Sequence, residues 1–207
     1  MFSKFLSLEP ERRDVVLNAA LKEFAKKGFD AASTNVIAKE SGISKPLMFH
    51  YINNKKDFFL FLYDYCLDFL NREYFERIDL NEKDIFERLR QTCLLKIQVL
   101  QKHPWIIGFY KVAVFTDSYA VMDELKKRRK VVETKIFEQF YGDIDTSKFR
   151  SELDVEKSKQ LIFWAISGYA EEILEQFRSR DAPIYDFEKI SVEFDGYVNE
   201  LRKTYYK

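Results

Sequence analysis

Glycine and proline are scarce in this chain, at six and four residues in 207. That disfavours a fold with many tight turns and favours long helices. Cysteine is nearly missing. Cys66 and Cys93 cannot make a disulfide framework, and each lies in an apolar helical stretch. Both read as small buried hydrophobes in a reduced compartment, and no electropositive cluster beside either suggests a reactive thiol. Histidine is limited to His50 and His103. No metal-ligand spacing, Gly-rich phosphate loop or nucleophile motif accompanies them, so no metal, no cofactor and no enzyme activity are expected. Long apolar runs are also wanting. The richest, Phe58 to Leu70, is broken by Asp64 and Asp68 and is too short and acidic to span a bilayer. The first thirteen residues lack the apolar core and cleavage site of a secretory leader. A cytoplasmic protein with no membrane partner is the expectation.

What the chain does contain is apolar bulk. Hydrophobic residues make up 46% and charged residues 33%, the balance of a globular protein. Twenty Phe and twelve Tyr suggest a bulky aromatic core, an apolar cavity, or both. Lys and Arg match Asp and Glu at 34 each, but the distribution is uneven. Residues 1–57 hold ten basic and seven acidic side chains, a surplus of three that the remainder reverses. A basic head on an acidic body hints at a polyanionic partner.

Apolar spacing predicts an all-α chain of about nine helices. The first runs from Pro10 to Lys27, with Val16, Ala20 and Phe24 as its stripe and Gly28 as its stop. Two short helices follow, Asn35 to Ser41 and Lys45 to Ile52, with Gly42 between them and Ser44 as the second cap. Asn53 and Asn54 break the second short helix, and Asn54 with Asp57 forms a capping box for a fourth helix from Lys55 to Ile78. Further helices are expected at 84–102, 104–115, 118–141, 154–178 and 185–203, with a polar loop at 142–153. The stretch Leu161 to Ala170 is apolar around most of its circumference, as in a helix that packs both on its own core and on a symmetry mate.

Residues 34–52 carry the functional pattern. Two short helices meet at Gly42, with Val36, Ile37, Ala38, Ile43, Leu47 and Met48 read as inward, the layout of a helix-turn-helix. Helices this short are marginal in water, so the first helix must supply a wall. Ser44, Lys45, Pro46, Phe49, His50 and Tyr51 remain to face a groove rimmed by phosphates, and the helix N-terminus offers free N–H groups to an anion. Lys55 opposes the dipole of the fourth helix, a conflict that a phosphate would relieve. On residues alone, the alternative is that Lys55 and Lys56 are simply solvated.

The parts of this segment occur in a recognisable order: Phe24, Gly28 and Phe29; Ile37-Ala38; Gly42 to Lys45; Phe49 to Tyr51; and Asn54 to Asp57. Over residues 12 to 60 the chain resembles the N-terminal domain of the TetR family of regulators. The resemblance implies a helix-turn-helix DNA-binding domain at residues 1–54 and a helical ligand-binding and dimerisation domain at 55–207. It implies a phosphate contact for Thr34, base or groove contacts for Lys45, Pro46 and Leu47, and backbone contacts for His50, Tyr51 and Lys55. Pro46 stands where Gly, Ala or Thr is common, Phe49 where Tyr is frequent, and Ile52 where Phe is usual. The resemblance further implies a homodimer formed by the last two helices, around Trp164 to Ala170 and Ile190, Val192, Phe194 and Val198, that binds a palindromic double-stranded operator. It implies a cavity for an unidentified small-molecule effector, with Trp105, Phe109, Phe115, Tyr119, Phe163, Trp164 and Tyr169 as candidates. The implied role is a bacterial repressor. The alternatives are an activator of the same fold and a helical protein-interaction module without DNA binding.

Overall fold

The computed structural model describes residues 2–128, 140–178 and 186–207, except for the side chains of 174–178. Its helices are α1 (Ser3–Leu6), α2 (Pro10–Ala31), α3 (Thr34–Glu40), α4 (Lys45–Ile52), α5 (Lys55–Glu73), α6 (Ile85–Lys102) and α7 (Pro104–Val114). They continue with α8 (residues 122–128, where the description pauses), α9 (Val155–Arg178) and α10 (Phe187–Tyr205). The middle of the expected 118–141 helix, and Tyr185 at the start of the expected last one, lie outside the described residues. Among the described residues there is no strand, only an isolated bridge between Phe149 and Tyr206. The all-α reading holds. The fourth helix stops at Glu73 rather than Ile78, because a 3₁₀ turn, Phe75–Arg77, takes over.

Residues 1–71 with 103–131 form one compact unit, and residues 72–102 with 132–207 form another. The first is held by aromatic rings. Phe24 of α2 meets Phe58 and Phe59 of α5 and Phe109 of α7, at centroid distances of 6.5, 5.0 and 6.2 Å. These four rings are fully buried, each stabilising by roughly 1.5–3 kcal/mol through burial alone. The short α1 was not anticipated. Phe5 is fully buried against Phe58 and Phe61, and Phe2 stacks on Phe61 at 4.4 Å.

The second unit combines an apolar cluster with buried charge. Ile85, Phe86 and Leu89 of α6 pack with Ile162 of α9 and with Phe194 and Val198 of α10. Phe194 and Val198 therefore fill this chain's own core and are corrected from the expected subunit interface. Arg88, 2% exposed, donates to the carbonyls of Leu80 at 3.1 Å, Phe140 at 3.2 Å and Asp143 at 3.0 Å, and to that of Glu82. One guanidinium thus ties the loop before α6 to the residues after 139. Asp84 accepts from Lys148 and pairs with Arg202, which also reaches Glu87. Burial alone would raise the Asp84 pKa. The hydrogen bonds from Lys148 and the Phe86 and Glu87 amides, with the Arg202 charge, outweigh that and hold it below the ordinary carboxylate value. Burial raises the thiol pKa values, to about 11 at half-buried Cys93 and further at buried Cys66.

Candidate nucleic-acid interface

The first unit presents its short helices by local rules that the residues make plain. Gly28 sits at φ 71° and interrupts α2, but the helix resumes for one more turn to Ala31. The expected stop at Gly28 is thus a kink, placed where a residue without Cβ tolerates positive φ. Ser33 then precedes α3, and the Glu23 carboxylate accepts its N–H at 2.9 Å. Gly42, at φ 62°, turns the chain after α3, and the Ile43 N–H returns to the Ala38 carbonyl at 3.0 Å. Arg12 of α2 donates to the Gly42 carbonyl at 2.9 Å and pins that turn. This role was invisible in the sequence, because a basic residue in a first helix reads as solvated.

Ser44 caps α4, accepting the Leu47 N–H at 3.3 Å. Pro46 has no N–H and Ser44 occupies that of Leu47, so of the first three helical amides only that of Lys45 remains for an anion. The expected set of free donors is smaller than foreseen. Met48 and Ile52 are fully buried, and they anchor α4 together with Ile37 and Ala38 of α3. Neither short helix would persist without this support. Val36 and Leu47, expected inside, are 37% and 39% exposed. On an eight-residue rod Met48 and Ile52 define the inner line, and Leu47 falls one position off it.

Ser44, Lys45, Pro46, Leu47, Phe49 and His50 are all exposed, and Tyr51 is half-buried with the His50 ring 5.7 Å away, edge-on. Thr34 opens α3 and is half-buried. Eight of the nine expected contact residues therefore sit on the two short helices, seven of them on α4 or at its cap. Lys55 is the ninth and is held differently. Its Nζ donates to the Asp30 carbonyl at 3.0 Å and lies 4.9 Å over the Phe29 ring. The C-terminal turn of α2 thus satisfies the charge that a phosphate was expected to meet. The capping box at Asn54 is also altered. Asn54 accepts the Asp57 N–H at 2.8 Å, but the Asp57 carboxylate takes the side-chain amides of Asn53 and Asn54 instead of the cap's backbone.

The aromatic residues expected around an effector scatter. Phe109 is fully buried in the core, and Trp105 lies under the Lys26 ammonium at 5.6 Å. Tyr119 is 93% exposed. In the second unit, Phe163 packs edge-on against Tyr141, Tyr169 lies against Phe194, and Trp164 is 60% exposed. Only Phe115 of the seven lines the cavity of about 200 Å³ in the first unit, with Tyr63, Thr116, Met122, Leu125 and Lys126 among its neighbours. Met122, Thr116 and Lys126 escape a search for aromatics. Among the described residues no cluster of His, Cys, Asp or Glu could hold a metal ion, and no helix is long and apolar enough to cross a membrane.

A capped, solvent-facing helix braced by two others is the apparatus of helix-turn-helix DNA-binding regulators. Residues 16–61 match the family described as bacterial regulatory proteins, tetR family. The head of the chain is thus similar to the DNA-binding domain of the tetR family of bacterial regulatory proteins. Over 159 residues it is 23% identical to the fatty acid metabolism regulator protein of Bacillus subtilis (strain 168), covering 73% of this chain and 77% of that protein. Its fold matches a TetR family transcriptional regulator from Chloroflexus aurantiacus J-10-FL with a TM-score of 0.66 at 18% identity, over 99% of this chain and 97% of that one. It also matches AibR in complex with isovaleryl coenzyme A and operator DNA, with a TM-score of 0.60 at 16% identity, over 91% and 97% of the two chains.

Proposed function

We propose that this chain is a non-enzymatic, cytoplasmic repressor that binds a palindromic operator as a homodimer and is released by a small apolar or aromatic effector. The head, residues 1–54, grips DNA, and residues 55–207 serve dimerisation and ligand response. The observation that carries the reading is the exposed face of α4, where a cation, an imidazole and two aromatic rings stand on a rod fixed by Met48 and Ile52. Lys45, Pro46, Leu47 and Phe49 enter the major groove, and Thr34, Ser44, His50 and Tyr51 meet the backbone. Lys55 comes to the phosphate by exchanging the Asp30 carbonyl for it.

Dimerisation is supported by the outer faces of the last two helices. Leu161, Trp164 and, on α10, Val192 and Tyr197 are 48%, 60%, 67% and 54% exposed, whereas the opposite faces fill the core through Ile162, Phe194 and Val198. A helix apolar on both sides has two partners, and a second copy supplies the outer one. Two recognition helices about 34 Å apart then meet successive major grooves. Operator DNA and isovaleryl coenzyme A in the AibR complex, and the name of the Bacillus subtilis relative, support an effector drawn from acyl metabolism.

Selection from random duplexes, followed by gel-shift titration at increasing salt, tests this reading. The expected product is a two-fold symmetric site whose affinity falls steeply with salt. Trp164→Glu should give monomers by light scattering and weaken operator binding at least about tenfold, since a buried Trp anchors an interface. Failure to select any duplex would leave the interaction-module reading in its place.

A further inference from the structure

We propose that the cavity in the first unit binds a small organic acid, with one aromatic ring or a short acyl chain against Phe115, Met122 and Leu125 and its carboxylate on Lys126. This rests on the regulator reading above and names the effector's chemical class and seat. Three observations converge on it.

The first is size. The cavity holds about 200 Å³. An apolar cavity of roughly 150 Å³ accepts benzene, and drug-sized ligands need about 300 Å³ or more. One ring or a short chain fits, whereas a whole coenzyme does not. The second is the lining. Ala113, Val114, Met122 and Leu125 supply apolar wall, and the methionine adapts its shape to the guest. Phe115 borders the cavity while 72% exposed, so an apolar guest would cover a ring that water now touches. The third is charge. The polar lining comprises the Tyr63 and Thr116 hydroxyls and the Lys126 ammonium, with no Asp or Glu among the described lining residues. Lys126 is exposed, so it meets a carboxylate at the solvent side without a full desolvation cost.

The wall of this cavity is wired to the head. Thr116 accepts the Ser118 N–H at 3.3 Å, and Ser118 Oγ donates to the Asp30 carboxylate at 2.9 Å. Asp30 lies in the last turn of α2, and its carbonyl holds Lys55 at 3.0 Å. An acid that takes the Thr116 hydroxyl disturbs this chain of bonds at its first link. It favours whichever head position tolerates the change, and DNA affinity falls by the ligand's difference in affinity for the two states.

The test uses the full-length protein, with benzoate and hexanoate as probes and benzamide and hexanamide as uncharged counterparts. Calorimetry and thermal unfolding read binding, and gel shift on a selected duplex reads release. Both acids should raise Tm and release the duplex, with the amides at least about tenfold weaker. Lys126→Gln should level acid and amide. Met122→Trp should fill the cavity and abolish binding of every probe, with helical content and Tm retained as the check on folding. Ser118→Ala should keep acid binding and lose release. Equal binding of acid and amide to the parent, an acid preference that survives Lys126→Gln, or a protein that holds its duplex and binds no probe overturns the proposal. A parent that binds no duplex overturns the regulator reading instead, and the thermal assay still decides the cavity.

Discussion

In the first unit, Phe24, Phe58, Phe59 and Phe109 meet ring to ring, Arg12 pins the Gly42 carbonyl, and the ion pairs Lys22–Glu40 and Lys56–Glu124 lie at the surface. In the second, Arg88 is buried among four backbone carbonyls, and Asp84 is shared by Lys148 and Arg202. Apolar contact is indifferent to direction and pH, whereas the charged network depends on both. The unit that carries the helix-turn-helix thus rests mainly on cohesion that pH barely alters. The other fastens its loops and C-terminal residues by directional bonds, including Arg150 to the Lys203 and Tyr206 carbonyls.

The two tryptophans allow that contrast to be broken deliberately, since Trp105 belongs to the first unit and Trp164 to the second. Trp164→Phe leaves a reporter of the first, and Trp105→Phe a reporter of the second. The largest effect is expected from Phe59→Ala, which should cost about 4 kcal/mol in the urea transition followed by Trp105, as for other large cavities. Arg88→Met should follow at about 3 kcal/mol in the transition followed by Trp164, because the freed carbonyls lose a buried donor. Acid should act more gently and on the same side. Asp84 ionises below its ordinary value in the folded chain, so its contribution is fully present above about pH 4 and is lost as pH falls through the lower folded value. The Trp164 midpoint should drop in that window, and Asp84→Asn should flatten the dependence. An equal acid response from both reporters would contradict the contrast.

The sequence made the capped, turn-punctuated parts legible. Gly42, Ser44 and Asn54 each act within four residues of themselves, so their chemistry can be read in a line. What depends on distant partners stayed hidden. A four-residue α1 has no period to detect and exists because Phe5 reaches α5. Arg88 belongs to a helix whose charges read as solvated, and Lys55 found a carbonyl 25 residues earlier. Aromatic content foretold a dense core but could not sort core from cavity, and of the seven candidates only Phe115 lines the cavity of the first unit.

The outer face of α4 is proposed to read DNA, with Lys45 as its exposed cation. The most direct measurement compares duplex affinity of the parent, Lys45→Ala and a distant control, Lys157→Ala, across a salt series and a panel of operator variants. Lys45→Ala should bind more weakly, with a log–log salt slope reduced by about 1 per recognition helix and a changed order among operator variants, and the control should be unaltered. Lys45→Ala retaining the parent's affinity, slope and order of preference would contradict that proposal.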